Sequence, residues 1–172
     1  MTFRAALPAD LPSLAALINR AYRGESSRLG WTTEADLLSG LRIDETGLKS
    51  LLDDPDSLLY LAEQGPQIVA SIHAHRTREG VHFGLFAVEP SLQGNGTGKK
   101  LLDYAERQCL GVWGSDTAYM EVITLRNELI AFYERRGYSR TGEHIPFPES
   151  PLWGLNVPSL EMAVLRKSLS IA

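Results

Sequence analysis

From Leu11 onward the apolar positions recur three and four residues apart. Leu11, Leu14, Leu17, Ile18 and Ala21 share one side of a 3.6-residue spiral, which predicts an amphipathic helix. Asp10 stands where its N-cap belongs. A short edge strand is expected before it, at 2–6. Residues 23–32 mix Gly, Ser and Arg without a period and are expected as a loop. TEADLLSGL, 33–41, predicts a short helix stopped near Gly40. ETGLKSLLD, 45–53, predicts another that ends before Pro55.

After Pro55 the texture changes. LLYLAEQ, IVASIHAHRTR and VHFGLFAVE are separated by GPQ and EG, the pattern of three strands joined by tight turns. Pro90 and a glycine loop come next. GKKLLDYAERQCL predicts a helix with Leu101, Leu102, Ala105 and Cys109 inward. TAYMEVITL reads as a strand and 127–136 as a helix closed by Gly137. YSRTGE reads as a strand, 144–158 as an irregular Pro-rich stretch, and LEMAVLRKSL as a last strand. This order predicts an α/β fold of the α+β kind. A mixed sheet carries helices, in a single domain spanning 1–172.

Composition narrows the functions. The chain has 172 residues, enough for one domain with a proper core. Lys and Arg total 17 and Asp and Glu 21, for a formal charge of −4. No nucleic-acid partner is expected from that balance, and a cationic substrate is compatible with it. Cys109 is the one cysteine, so no intrachain disulfide can form, and it is expected as a small core residue. No Cys/His spacing points to a metal. MTFRAALPADLP has no basic stretch leading into an apolar run, so no secretory leader is expected. No run reaches the roughly 20 apolar residues a membrane span needs. A cytoplasmic location without membrane contact is the expectation.

The stretch LQGNGTGKKLL, 92–102, carries the candidate chemistry. A G-x-x-x-x-G-K-[ST] phosphate loop would need glycine at Gln93 and a hydroxyl at Lys100, and both tests fail. The dinucleotide pattern G-x-G-x-x-G accepts Gly94 and Gly96 but falls on Lys99 at its third glycine. The physics behind both patterns still holds. Glycines before a helix let successive N–H groups share a concavity, and the helix N-terminus favours an anion. The loop either holds a pyrophosphate-like group or is a tight strand–helix connection.

LFAVEPSLQGNGTGKKLLDYAE resembles the acetyl-CoA signature of the GNAT superfamily of N-acetyltransferases. There a strand ending in an Ala-Val-like pair leads into [Q/R]-x-x-G-x-[G/A] and a helix, and Gln93, Gly96 and Gly98 occupy those places. MEVITLRNELIAFYERRGYSRTGE is similar to the family's second signature, through Glu121, Asn127, Tyr133, Gly137 and Tyr138. The resemblance covers nearly the whole chain. It implies a mostly antiparallel sheet of about seven strands with about four to five helices, splayed between the fourth and fifth strands.

It also implies acetyl-CoA as co-substrate and no metal. Phe86, Ala87 and Val88 would line the pantetheine arm, with the N–H of Val88 as oxyanion donor. The loop residues Gln93, Gly94, Asn95, Gly96, Thr97, Gly98 and Lys99 would hold the pyrophosphate. Asn127 would cap its helix and touch the arm. Tyr133, whose phenol has an ordinary pKa near 10, would protonate the leaving thiolate. Two residues compete as base: Glu121, twelve residues before Tyr133, and His82, six before Val88. His82 shares a strand face with Gly84, Phe86 and Val88 only if no bulge intervenes. His73 and His75 are expected as ordinary strand residues. The acceptor site is expected between 23–56 and 144–158, with Arg28, Trp31, Phe147 and Trp153 as contacts. The acceptor would be a primary amine of a small molecule or peptide, and a homodimer is the expected assembly. The alternative reading is an acyl-CoA binding module without catalysis.

Overall fold

The computed structural model describes residues 1–170. The strands are β1 (Thr2–Ala5), β2 (Leu38–Gly40), β3 (Ser57–Gln64), β4 (Gln67–Thr77), β5 (Gly80–Val88), β6 (Thr117–Ile123), β7 (Ser139–Pro146), β8 (Trp153–Leu155) and β9 (Glu161–Ser168). The helices are α1 (Leu11–Tyr22), α2 (Gly24–Ser27), α3 (Glu45–Asp53), α4 (Thr97–Trp113) and α5 (Asn127–Glu134). Among the described residues, a seven-stranded sheet runs β1-β3-β4-β5-β6-β9-β7, and β2 and β8 form a small second sheet. Every pairing in the large sheet is antiparallel except β5 with β6. A parallel pair needs a long crossover, and the glycine loop with α4 supplies it.

The two faces of the sheet carry separate cores. On one, Leu101, Leu102, Ala105 and Cys109 of α4 and Ile130 and Tyr133 of α5 pack on Ile72, Phe83, Met120 and Val122. On the other, Leu14 and Ile18 of α1 and Leu48 of α3 meet Leu59, Leu61, Leu85 and Ala87. Leu14, Ile18, Leu48, Leu101 and Leu102 are wholly buried, each contributing about 1.5–3 kcal/mol of transfer free energy. A third, smaller cluster joins Leu38, Ile123, Leu160 and Met162, with Phe147 and Trp153 against it. Gly114 ends α4 at φ +63°, its N–H bonding Leu110 O at 3.0 Å. No described helix is long and apolar enough to cross a membrane.

Several local expectations change. The helix predicted at 33–41 is absent. There the Thr33 hydroxyl accepts the Ala35 N–H, and Leu38–Gly40 pairs antiparallel with Trp153–Leu155. Gly40 has φ +85°, and a side chain on it would collide with Leu152 O. Backbone pairing over more than a hundred residues outweighs the local helical pattern. Its partner, β8, lies within the stretch expected to be irregular, and β7 extends to Pro146. One turn of helix, α2, falls in the expected loop 23–32. Asp10 does not cap α1 with its side chain. Its carboxylate instead accepts the Leu7 N–H at 2.8 Å and Arg4 at 2.7 Å. Asn127 is the first residue of α5 rather than its cap, a position held by Arg126.

Two irregularities in β5 shape the sheet at its centre. Its ladder with β6 holds only Val81↔Ala118 and His82↔Tyr119, after which the strands part. Its register with β4 slips between Ser71 and His73, and Leu85 has φ +46°. This is a β-bulge, one extra residue that reverses the alternation. Val81 and Phe83 lie in the core under α4, and Phe86 and Val88 pack toward the same core, while Leu85 and Ala87 lie on the α1 side. His82 and Phe86 therefore occupy opposite faces, and their shared parity in the sequence is broken.

Candidate active site

The parting of β5 and β6 opens a cleft with two chambers. The larger, about 480 Å³, runs between the end of β5 and α5. Phe86, Ala87, Val88, Gln93, Gly94, Gly96, Gly98 and Lys99 line one wall, and Leu129, Phe132, Tyr133, Arg135 and Arg136 the other. The smaller, about 140 Å³, holds His82, Glu121, Phe147 and Trp153 among its lining. Tyr22, Phe86, Arg126, Leu129 and Tyr133 line both chambers, so they stand at the junction.

The glycine loop is shaped by conformation more than by space. Gly94 and Gly96 have φ +86° and +81°, and an added Cβ would meet nothing within 4 Å of either. The left-handed backbone is what demands glycine there. At Gly98 the demand is proximity, since a Cβ would lie 3.3 Å from Val88 Cγ2 and 3.4 Å from Phe86 Cζ. Helix α4 starts at Thr97 with no side chain capping its first turn. Its first amides lack intrahelical partners and sit at the dipole end that favours an anion. Lys99 lines the chamber, while Asn95 is exposed and Thr97 is buried, neither in the lining.

Gln93 has a structural task that the sequence pattern does not reveal. Its Oε1 accepts the Trp31 N–H at 3.0 Å, and its Nε2 donates to Val88 O at 3.2 Å. It thus ties the segment before β2 to the end of β5. Gly30 makes this bond possible, because a side chain there would overlap Gln93 Oε1.

Tyr133 is 6% exposed, with its ring 5.3 Å from Phe132, 5.9 Å from Tyr138 and 6.3 Å from Phe86. Burial pushes its phenol well above the ordinary tyrosine range, with Tyr22 adding to the effect, so it carries its proton at neutral pH. Burial likewise raises Tyr22. In the smaller chamber His82 Nε2 lies 3.6 Å from Glu121 Oε2, both side chains partly exposed. The neighbouring imidazole holds the Glu121 carboxyl below its usual range against the opposing effect of burial. The two candidate bases are thus neighbours on one face.

The expected acceptor contacts divide. Phe147 and Trp153 pack edge-on at 5.9 Å and line the smaller chamber. Trp31 lines the larger one, 5.5 Å from Phe132. Arg28 is not brought to either, because its guanidinium pairs with Glu25 at 3.0 Å and Asp36 at 2.7 Å. Asn127 is exposed and also lines neither. Tyr22, Arg42, Arg126 and Phe132 are lining residues that motif and spacing did not single out. Phe132 had a visible signal, an aromatic beside Tyr133 on the same short helix. The others come together only through folding.

The family model of the acetyltransferase (GNAT) domain matches residues 55–140, which hold the meander, the glycine loop, β6 and α5. No curated protein matches the chain by sequence. Among solved structures, the ribosomal-protein-S18-alanine N-acetyltransferase from Escherichia coli superposes with a TM-score of 0.73 at 17% identity, covering 99% of this chain and 95% of that one. An aminoglycoside 6'-N-acetyltransferase complexed with coenzyme A gives 0.72 at 16%, covering 100% and 99%. An N-acetyltransferase from Staphylococcus aureus Mu50 gives 0.71 at 13%, covering 98% of each. At these identities the likeness is one of fold.

Proposed function

The chain belongs to the acetyltransferase (GNAT) domain family, and from that premise we propose that it transfers the acetyl group of acetyl-CoA to a primary amine. The observation that carries this reading is the parting of β5 from β6 just beyond His82, with the glycine loop at the mouth of the gap. Open space before Gly94 and Gly96 and the free amides of the α4 first turn suit a pyrophosphate. Lys99, Arg135 and Arg136 bring positive charge to the same chamber, in a chain whose formal charge is −4. The unpaired edge of β5 at Phe86–Val88 suits an extended, amide-bearing arm.

Each residue then has a defined part. A lysine-like amine has a pKa of about 10.4 and arrives mostly protonated. Glu121, with His82 beside it, takes that proton directly or through water. The nitrogen lone pair attacks the thioester carbonyl, and negative charge develops on its oxygen. The Val88 N–H stabilises that charge. As the carbonyl re-forms, the carbon–sulfur bond breaks, Tyr133 gives its proton to the sulfur, and the second proton leaving the nitrogen passes through water to restore the phenol. Burial keeps this phenol protonated at neutral pH, and because burial also weakens it as an acid, the charge developing on sulfur must drive the transfer.

The test is release of free thiol by the purified protein, with acetyl-CoA and a panel of amines. Turnover that depends on the amine supports the reading. Calorimetric binding of acetyl-CoA with no turnover for any amine would make the protein a binding module instead.

A further inference from the structure

Arginines gather behind the smaller chamber, and few carboxylates answer them. Arg23 is 6% exposed, and although its Nη2 lies 3.1 Å from Glu34 Oε2, none of its three nitrogens makes a hydrogen bond. Glu34 Oε1 is already taken by Arg126 Nη1 at 3.0 Å, and Arg126 Nη2 donates to Thr32 at 2.8 Å. Arg126 Nε, also buried, has no partner. One buried carboxylate thus serves two buried guanidiniums. Arg42 adds a third. Its guanidinium lies 5.4 Å from the ring of Tyr22 and 5.5 Å from that of Trp153, and it enters no ion pair among the described residues. Arg23 stands over the same Trp153 ring, at 5.7 Å.

Three guanidiniums share one carboxylate here, so positive charge is in excess at this end of the chamber, and the guanidinium without an ion pair, that of Arg42, lines the chamber itself. Arg42, Arg126 and Glu34 line the chamber that also holds Glu121 and His82. Glu121 is the other carboxylate facing that space, and its neighbour is the imidazole. The chamber therefore has an acidic end suited to an ammonium and a basic, aromatic-walled end suited to an oxyanion. At about 140 Å³ it takes a small molecule.

Resting on the acetyltransfer reading, we propose that the acceptor is a small amino acid, its carboxylate held by Arg42 against Tyr22 and Trp153 and its amine directed to Glu121. A guanidinium offers a planar fork that matches a carboxylate with two parallel bonds, which an amide cannot reproduce. The overall negative charge of the chain is compatible with a cationic acceptor, but the chamber itself carries the opposite bias.

The test compares each L-amino acid with its own carboxamide, and both with spermidine, in the thiol-release assay. The carboxylate should exceed the carboxamide in kcat/KM by about tenfold or more, as expected for a charge-assisted pair. In Arg42→Gln that preference should fall below about threefold, and in Arg42→Lys it should partly return. Retained calorimetric binding of coenzyme A shows that a variant is folded. The wild-type comparison needs no variant. Calorimetric binding of an amino acid, but not its carboxamide, to the coenzyme A complex supports the proposal even without turnover. Equal or better turnover of carboxamides or spermidine overturns it while leaving acetyltransfer intact. Failure of the wild type to bind acetyl-CoA overturns the underlying reading and this one together.

Discussion

The imidazole of His82 and the carboxylate of Glu121 meet 3.6 Å apart where β5 and β6 separate. His82 holds the last rung of the parallel ladder and Glu121 lies two residues beyond its partner Tyr119, so both side chains stand where the β5–β6 pairing ends. Removing the imidazole removes the first cause of the depressed Glu121 pKa. His82→Ala should therefore let this carboxyl titrate higher, and a carbon-13 carboxyl titration by NMR reads the change directly. Under the proposed mechanism, Glu121→Gln should lower kcat/KM about a hundredfold. An unchanged rate would assign proton removal to another group.

Tyr133→Phe removes one hydroxyl from a ring wedged among Phe86, Phe132 and Tyr138. The packing survives, so coenzyme A binding measured by calorimetry should stay within about twofold. Turnover should fall about tenfold or more, because the leaving thiolate loses its proton donor. Undiminished turnover would take Tyr133 out of the chemistry.

Gln93 and Gly30 act as a pair. Gln93→Ala removes two hydrogen bonds, each of about 1 kcal/mol. Gly30→Ala pushes the Gln93 carboxamide out of the same place. Either change should weaken coenzyme A binding about threefold to tenfold, since the loop and the β5 end lose their tie. The double variant should be scarcely worse than Gln93→Ala alone. Additive losses in the calorimetric Kd would mean that the two residues act separately.

His73 is buried in β4 with its Nε2 3.0 Å from the Ser57 hydroxyl. Burial, with smaller contributions from His82 and His75, pulls its pKa from 6.5 down to about 4. The unfolded chain therefore binds this proton first as the pH falls. Stability should decline from about pH 6.5 toward pH 4, by about 3 kcal/mol at most. His73→Gln should flatten that part of the curve of Tm against pH relative to wild type. Parallel curves would show that His73 does not set the acid limb.

Much of the architecture is legible from short-range pattern. The α1 stripe from Leu11 to Ala21, the nine residues of α3, the meander and the helix after the glycine loop all appear where their periods place them. These segments bury enough apolar surface that packing reinforces local preference. The helix expected at 33–41 fails because a three-residue ladder to Trp153–Leu155 offers its backbone a better partner. The glycine loop and Tyr133 could be singled out from type and spacing alone. Gln93's tie to Trp31, the adjacency of His82 and Glu121, and the grouping of Arg23, Arg42 and Arg126 around Glu34 could not.

The sequence by itself therefore determined most element types, the family and the position of the glycine loop beside the larger chamber, because each depends on neighbours a few positions apart. Tertiary structure decided the rest. The bulge at Leu85 inverted the faces of β5, the early end of the β5–β6 ladder opened the cleft, and residues far apart in the chain came together as an arginine cluster with too few carboxylates. Such features depend on register and on which charges folding brings together, since a single inserted residue reverses a face and residues far apart in the chain set the local balance of charge.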